Sequence, residues 1–173
     1  MPRVFHHVRT DKIYLVGFMG AGKSTVSRAL GSHLGWRVED LDELVEAREH
    51  RSIADLFARE GEAYFRVAEQ GALRKLLDER HLIVATGGGT FVDPGNQSLI
   101  NNNGVSIWLD VSFEQVIDRL PPDGRRPLAA DRTSMHALFE ARQSAYAFAH
   151  LRLDASRAPV GELVERILEW LGA

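Results

Sequence analysis

"GFMGAGKS", residues 17–24, stands between the apolar run "IYLV" (13–16) and the segment "TVSRAL" (25–30). The run 13–16 reads as a buried strand and the residues after Lys23 carry helical spacing, so the pattern G-x-x-x-x-G-K-[ST] falls where a strand passes into a helix. In that setting glycines allow a tight backbone path whose amide N–H groups converge on an anion, and the helix N-terminus adds partial positive charge. Gly20, Ala21, Gly22, Lys23, Ser24 and Thr25 are therefore candidate triphosphate-binding residues. Lys23 reaches the β- and γ-phosphates, and the Ser24 hydroxyl suits Mg²⁺. A dinucleotide fingerprint starting at Gly20 would need glycine at 25, where Thr25 stands.

Working outward, five short apolar runs, "KIYLVG", "WRVED", "LIVAT", "VSIWLD" and "LRLDA", alternate with longer helical segments. Alternation of this kind predicts an α/β fold with a parallel sheet covered by helices on both faces, its strands poor in polar residues. Val26, Leu30 and Leu34 form one stripe of the first helix, which stops at Gly35. "SIADLFAREG" predicts a helix capped by Ser52 and ended by Gly61, and "APVGELVERILEWLG" an amphipathic closing helix. Trp36 and Trp108 fall on predicted strands and Trp170 on the last helix, which assigns all three to packing. Residues 120–133, "LPPDGRRPLAADRT", are dense in Pro, Gly and Arg and read as a mobile loop.

Composition narrows the possible functions. A chain of 173 residues fits one domain, spanning 1–173, with about two-thirds of its surface buried. Cysteine is absent, which removes disulfides and thiolate metal sites. The start "MPRVFHHVRT" lacks a signal-peptide core, and no stretch approaches the roughly 18 apolar residues of a membrane span. A soluble cytoplasmic protein without a membrane partner is expected. The net charge of −3 comes from interleaved acids and bases, which leaves no broad basic face for nucleic acid. Arginine outnumbers lysine 18 to 3, a bias that suits bidentate recognition of phosphate and carboxylate as well as genome composition. His6 and His7 show no metal-ligand spacing with other histidines.

A triphosphate site needs an acid near its metal, yet "LIVAT" runs straight into "GGG". "VEDLDELVE" supplies the best source, with Asp40 placed to hold the metal and Asp42 to accept a proton from an attacking hydroxyl. The competing reading is an acidic first helical turn. Asp110 is a second, weaker metal candidate. Arg66 precedes the third strand on a helix, and Gly87, Gly88 and Gly89 follow that strand, where bare backbone amides can face a ligand. Arginine, amide floor and carboxylate at one sheet edge would suit a small molecule bearing an anionic group and a hydroxyl.

Taken in order, "GFMGAGKST", "DLD", "GEAYFR", "GGG", "GRRPL", "ARQSAY" and "DASRAP" resemble the shikimate kinase family over nearly the whole chain after the first ten residues. The resemblance implies a P-loop fold of nucleoside monophosphate kinase type, with a five-stranded parallel sheet in the order 2-3-1-4-5. It implies ATP and shikimate as substrates, Mg²⁺ as cofactor, and a monomer. Asp42 would contact the ring hydroxyls and serve as candidate base, Arg66 and Arg142 would grip the carboxylate, and Gly88 would offer its backbone. Glu62 would hold the substrate arginine. Arg126, in a lid, would reach the ATP phosphates; Arg125 competes with it, and the family's Arg-Pro pair favours Arg126. Arg157 would border the adenine, and Arg119 would lie near the nucleotide. Arg132 and Arg152 read as surface residues. "AFAH", after Tyr146, lacks an acid that many members carry there. Rival kinases of the same fold, for gluconate or a nucleotide, would share the loop and lid without "DLD", "GEAYFR" and "GGG". A GTPase-type switch would need D-x-x-G and N-K-x-D, and neither occurs.

Overall fold

The first strand, β1 (Lys12–Val16), is buried at every position. Such a strand can only be central, and the computed structural model, which describes residues 10–120 and 132–173, places it in the middle of a five-stranded sheet. β3 (Leu82–Ala85) pairs with it on one side and β4 (Val105–Asp110) on the other. β2 (Arg37–Asp40) and β5 (Leu151–Asp154) form the edges, and every pairing is parallel. The resulting order β2-β3-β1-β4-β5 is the one the resemblance implied.

Helices connect the strands: α1 (Lys23–Leu34), α2 (Leu41–Glu49), α3 (Ile53–Lys75), α4 (Pro94–Asn103), α5 (Phe113–Arg119), α6 (Arg132–Tyr146) and α7 (Val160–Leu171). Parallel strands require such crossovers, and the crossovers cover both sheet faces. Apolarity on both faces holds for the three inner strands. Among the described residues the edge strands depart from it, with Arg37 and Arg152 exposed, because an edge strand is covered less completely than a central one. Trp108 is buried, whereas Trp36 and Trp170 pack against the core with part of each ring still accessible.

Two helix boundaries position the site. Gly35 ends α1 in the left-handed conformation, φ 68°, as its sequence predicts. Gly61 was expected to end the helix begun at Ser52; its backbone, at φ 83° and ψ 172°, does break the helical path, but a second helical run starts at once and α3 continues to Lys75. A side chain at 61 would meet nothing within 4 Å, so the demand for glycine there is purely conformational. That kink aims the second half of α3, with Arg66 and Glu69, at the carboxyl ends of β1 and β3.

Candidate active site

After β1 the chain turns through residues 17–22. Gly20 (φ 76°) and Gly22 (φ 95°) take left-handed backbone that a β-carbon would strain. Gly22 is the N-cap of α1 and supplies no side-chain acceptor, so the first amide groups of the helix are left to an anion. Lys23 folds back over the turn, and its Nζ donates to the carbonyls of Gly17 at 2.5 Å and Phe18 at 3.0 Å.

Ser24 Oγ donates to Asp40 Oδ2 at 2.7 Å. The other oxygen of Asp40 accepts from the backbone of Asp42 at 3.0 Å and of Glu43 at 3.3 Å, capping α2. The two readings of this acidic segment therefore coincide in one carboxylate: Asp40 starts the helix with one oxygen and faces the phosphate loop with the other. No group of three or more His, Asp or Glu that could hold a metal occurs among the described residues. A hydroxyl and a carboxylate beside a phosphate cradle nevertheless fit Mg²⁺, which takes few protein ligands and completes its shell with phosphate oxygens and water.

Facing the loop is the turn after β3. Its three glycines each make room for a different charged side chain. A β-carbon at Gly87 would lie 2.9 Å from Asp42 Oδ1, one at Gly88 3.2 Å from Arg142 Nη1, and one at Gly89 2.7 Å from the guanidinium carbon of Arg66. The triplet therefore holds one acid and two bases around a backbone floor. Arg142 is only 6% exposed, which removes it from the surface class, and its guanidinium lies 5.8 Å from the Phe18 ring centre. Arg66 Nη1 pairs with Glu69 at 3.0 Å, and its Cζ lies 5.2 Å from the Phe65 ring centre. One cleft of about 870 Å³ is lined by Lys23, Ser24, Asp40, Asp42, Arg66 and Arg142, among others. Its size suits small-molecule ligands.

The family model for shikimate kinase matches residues 19–172. The chain belongs to the shikimate kinase family. It is 41% identical over 157 residues to a shikimate kinase of Sulfurihydrogenibium sp. (strain YO3AOP1), covering 90% of this chain and 95% of the relative. The shikimate kinase of Persephonella marina is likewise 41% identical, with 90% and 96% covered. Among solved structures, shikimate kinase from Acinetobacter baumannii in complex with shikimate superimposes with a TM-score of 0.88 at 32% identity, over 92% of each chain. A deoxyadenosine kinase from M. mycoides reaches a TM-score of 0.63 at 20% identity, a likeness of fold.

Within this shikimate kinase fold, the cleft brings together residues 20–25, Asp40, Asp42, Arg66, Gly87, Gly88, Gly89 and Arg142. Arg119 reaches the loop from outside it, donating to the Gly20 carbonyl at 3.1 Å. Arg157 is exposed in the bend after β5 and does not line the cleft. Arg125 and Arg126, most of segment 120–133, and His6 and His7 lie outside the described residues. Asp110 is engaged by Arg152 at 2.6 Å rather than turned to the phosphate loop.

Glu69 is the residue that sequence reasoning missed. It is 1% exposed and bridges Arg66 to Thr90, whose hydroxyl donates to Glu69 at 2.9 Å and accepts from the Gly87 amide at 3.0 Å. Glu62, the expected partner of Arg66, stands farther off at 3.4 Å on the exposed side. A signal existed: Glu69 shares the buried stripe of α3 with Phe65, Ala72 and Leu73, and an acid on an apolar stripe requires a partner.

Proposed function

We propose that the protein transfers the γ-phosphoryl group of ATP to the 3-hydroxyl of shikimate, giving shikimate 3-phosphate and ADP in the route to chorismate and the aromatic amino acids. The observation that carries the reading is the gathering of Asp42, Arg66 and Arg142 around residues 87–89, in the same cleft as Lys23 and Ser24. Two buried or half-buried guanidinium groups suit a substrate carboxylate. An acid beside them suits a ring hydroxyl.

The hydroxyl oxygen forms a bond to the γ-phosphorus as the bond to the bridging oxygen of ADP breaks. Asp42 orients the hydroxyl and takes its proton, and Lys23 stabilises charge on the transferring oxygens. Ser24 and Asp40 would hold Mg²⁺, which when bound neutralises phosphate charge. Arg126 is assigned to the same phosphates, and Arg119 and Arg157 to the nucleotide, on the family pattern alone. The active unit is read as a monomeric single domain of the cytoplasm; no described helix is long and apolar enough to cross a membrane.

Release of ADP, measured with shikimate, gluconate and nucleoside monophosphates offered in parallel, tests the reading. Shikimate alone should support turnover, and preferential turnover of another acceptor would overturn it. In the same assay Asp42→Asn should lower kcat by about 10²- to 10⁴-fold while the KM for ATP stays within about twofold; equal losses in both would remove Asp42 from the proton-transfer role.

A further inference from the structure

Tyr146 closes α6 one turn beyond Arg142, and it is wholly buried. Its hydroxyl donates to the Gly88 carbonyl, 58 residues away, at 2.5 Å. A β-carbon at Gly88 would lie 3.2 Å from Arg142 Nη1, so the peptide that Tyr146 holds is the one the Arg142 guanidinium packs against. Because a carbonyl only accepts, the phenol must donate to it. Neither phenylalanine nor a phenolate can do so.

The ring is braced from behind. Trp108 lies 5.8 Å from it between centroids, and the Arg152 guanidinium lies 4.8 Å from the Trp108 ring centre while pairing with Asp110. Asp110 and Arg152 thus anchor the wall that fixes the phenol. Burial pushes the Tyr146 phenol well above its ordinary value of 10.0, against the opposing pull of the Arg142 and Arg66 cations. The hydroxyl therefore keeps its proton for Gly88.

The geometry points to Tyr146 as a positioning residue for the substrate anion: its hydroxyl fixes the Gly88 peptide against which the Arg142 guanidinium packs, and so sets where a carboxylate can sit between the two. Tyr146 acts through the Gly88 peptide and the Arg142 guanidinium beside it, and need not touch substrate. This inference rests on the shikimate reading above.

Tyr146→Phe keeps the packed ring and removes the hydrogen bond to Gly88. The variant should raise the KM for shikimate about tenfold, as expected when the charge-assisted contact between Arg142 and the carboxylate is weakened, with the KM for ATP within about twofold. With the methyl ester of shikimate, which keeps a carbonyl acceptor but lacks the carboxylate charge, variant and unaltered protein should differ by less than about twofold, since the charge-assisted pairing with Arg142 is already gone. An unchanged KM for shikimate, or an equal penalty with the ester, would overturn the role. If the unaltered protein releases no ADP with shikimate, the proposed function falls instead, so the two failures are distinct. Should Tyr146→Phe not fold, ¹³C-labelled tyrosine in the otherwise unaltered protein replaces it, with Tyr14→Phe and Tyr64→Phe assigning the resonances. Shikimate should shift the Tyr146 ring carbon that bears oxygen while leaving Tyr14 in place, and a stationary Tyr146 signal would overturn the inference.

Discussion

Two of the three lysines in the chain are buried at opposite ends of β1, and their partners differ in kind. Lys12 begins the strand and is 1% exposed; its Nζ donates to the carbonyls of Leu76 at 2.6 Å and Leu77 at 2.7 Å and to Asn103 Oδ1 at 2.8 Å. Those carbonyls close the C-terminus of α3, where orphan acceptors and the helix dipole both favour a cation. Lys23 lies past the other end of the strand and donates to carbonyls of its own loop, five and six residues back. Lys12 completes hydrogen bonding that distant parts of the fold leave open. Lys23 is held by local carbonyls that phosphate oxygens can replace. A buried cation is thus a site residue or a structural one according to what surrounds it, and burial by itself does not decide.

Activity and stability measurements on matched variants break or sharpen that contrast. Lys23→Met should lower turnover at least about a hundredfold, the loss typical of a removed charge-stabilising donor, with a smaller stability loss than the matching change at 12. Lys12→Met should cost about 2 to 4 kcal/mol in urea unfolding, because buried carbonyls lose their donor, while kcat per folded molecule stays within about twofold. Interchanged effects would erase the distinction. Gly89→Ala tests the functional end more gently: its new methyl would displace the guanidinium of Arg66, raising the KM for shikimate about tenfold through a weakened charge-assisted contact. An unchanged KM would detach Arg66 from the substrate.

The smallest effect concerns proton linkage. Burial pushes the Lys12 ammonium below its ordinary value of 10.5, against the raising pull of Asp11, Asp78 and Glu79. The folded state then releases this proton before the unfolded chain does. In the window from the lowered folded value up to 10.5 the unfolded chain binds more protons, so this group makes stability rise with pH. Unfolding measured in alkaline steps should show a shallower rise in Lys12→Met. Identical slopes would mean that Lys12 titrates as it does in water.

The same contrast explains what could be read early. The phosphate loop, the N-cap at Ser52 and the stop at Gly35 were legible because each depends on a few neighbouring residues. Gly61 was half legible: a left-handed glycine ends a helix whether or not another begins at once, and only packing of the second half of α3 decides that. For the triplet after β3, bare amides were the expected use. Its further use, making room for Asp42, Arg142 and Arg66, requires knowing which side chains three separate helices deliver there. Arg142 looked no different in sequence from a surface arginine.

From its sequence alone this chain specified a strand, an anion-binding turn and a helix around Lys23, since backbone sterics and short-range hydrogen bonds act within a turn or two of chain. Its ordered motifs also identified the family. Only the tertiary structure chose Glu69 over Glu62 as the inner hold on Arg66, buried Arg142, set Tyr146 against Gly88 and made Lys12 structural. Those outcomes rest on desolvation and on partners 21 residues away for Glu69 with Thr90 and 58 for Tyr146 with Gly88. Such partners are chosen when the sheet assembles, and no local window contains them.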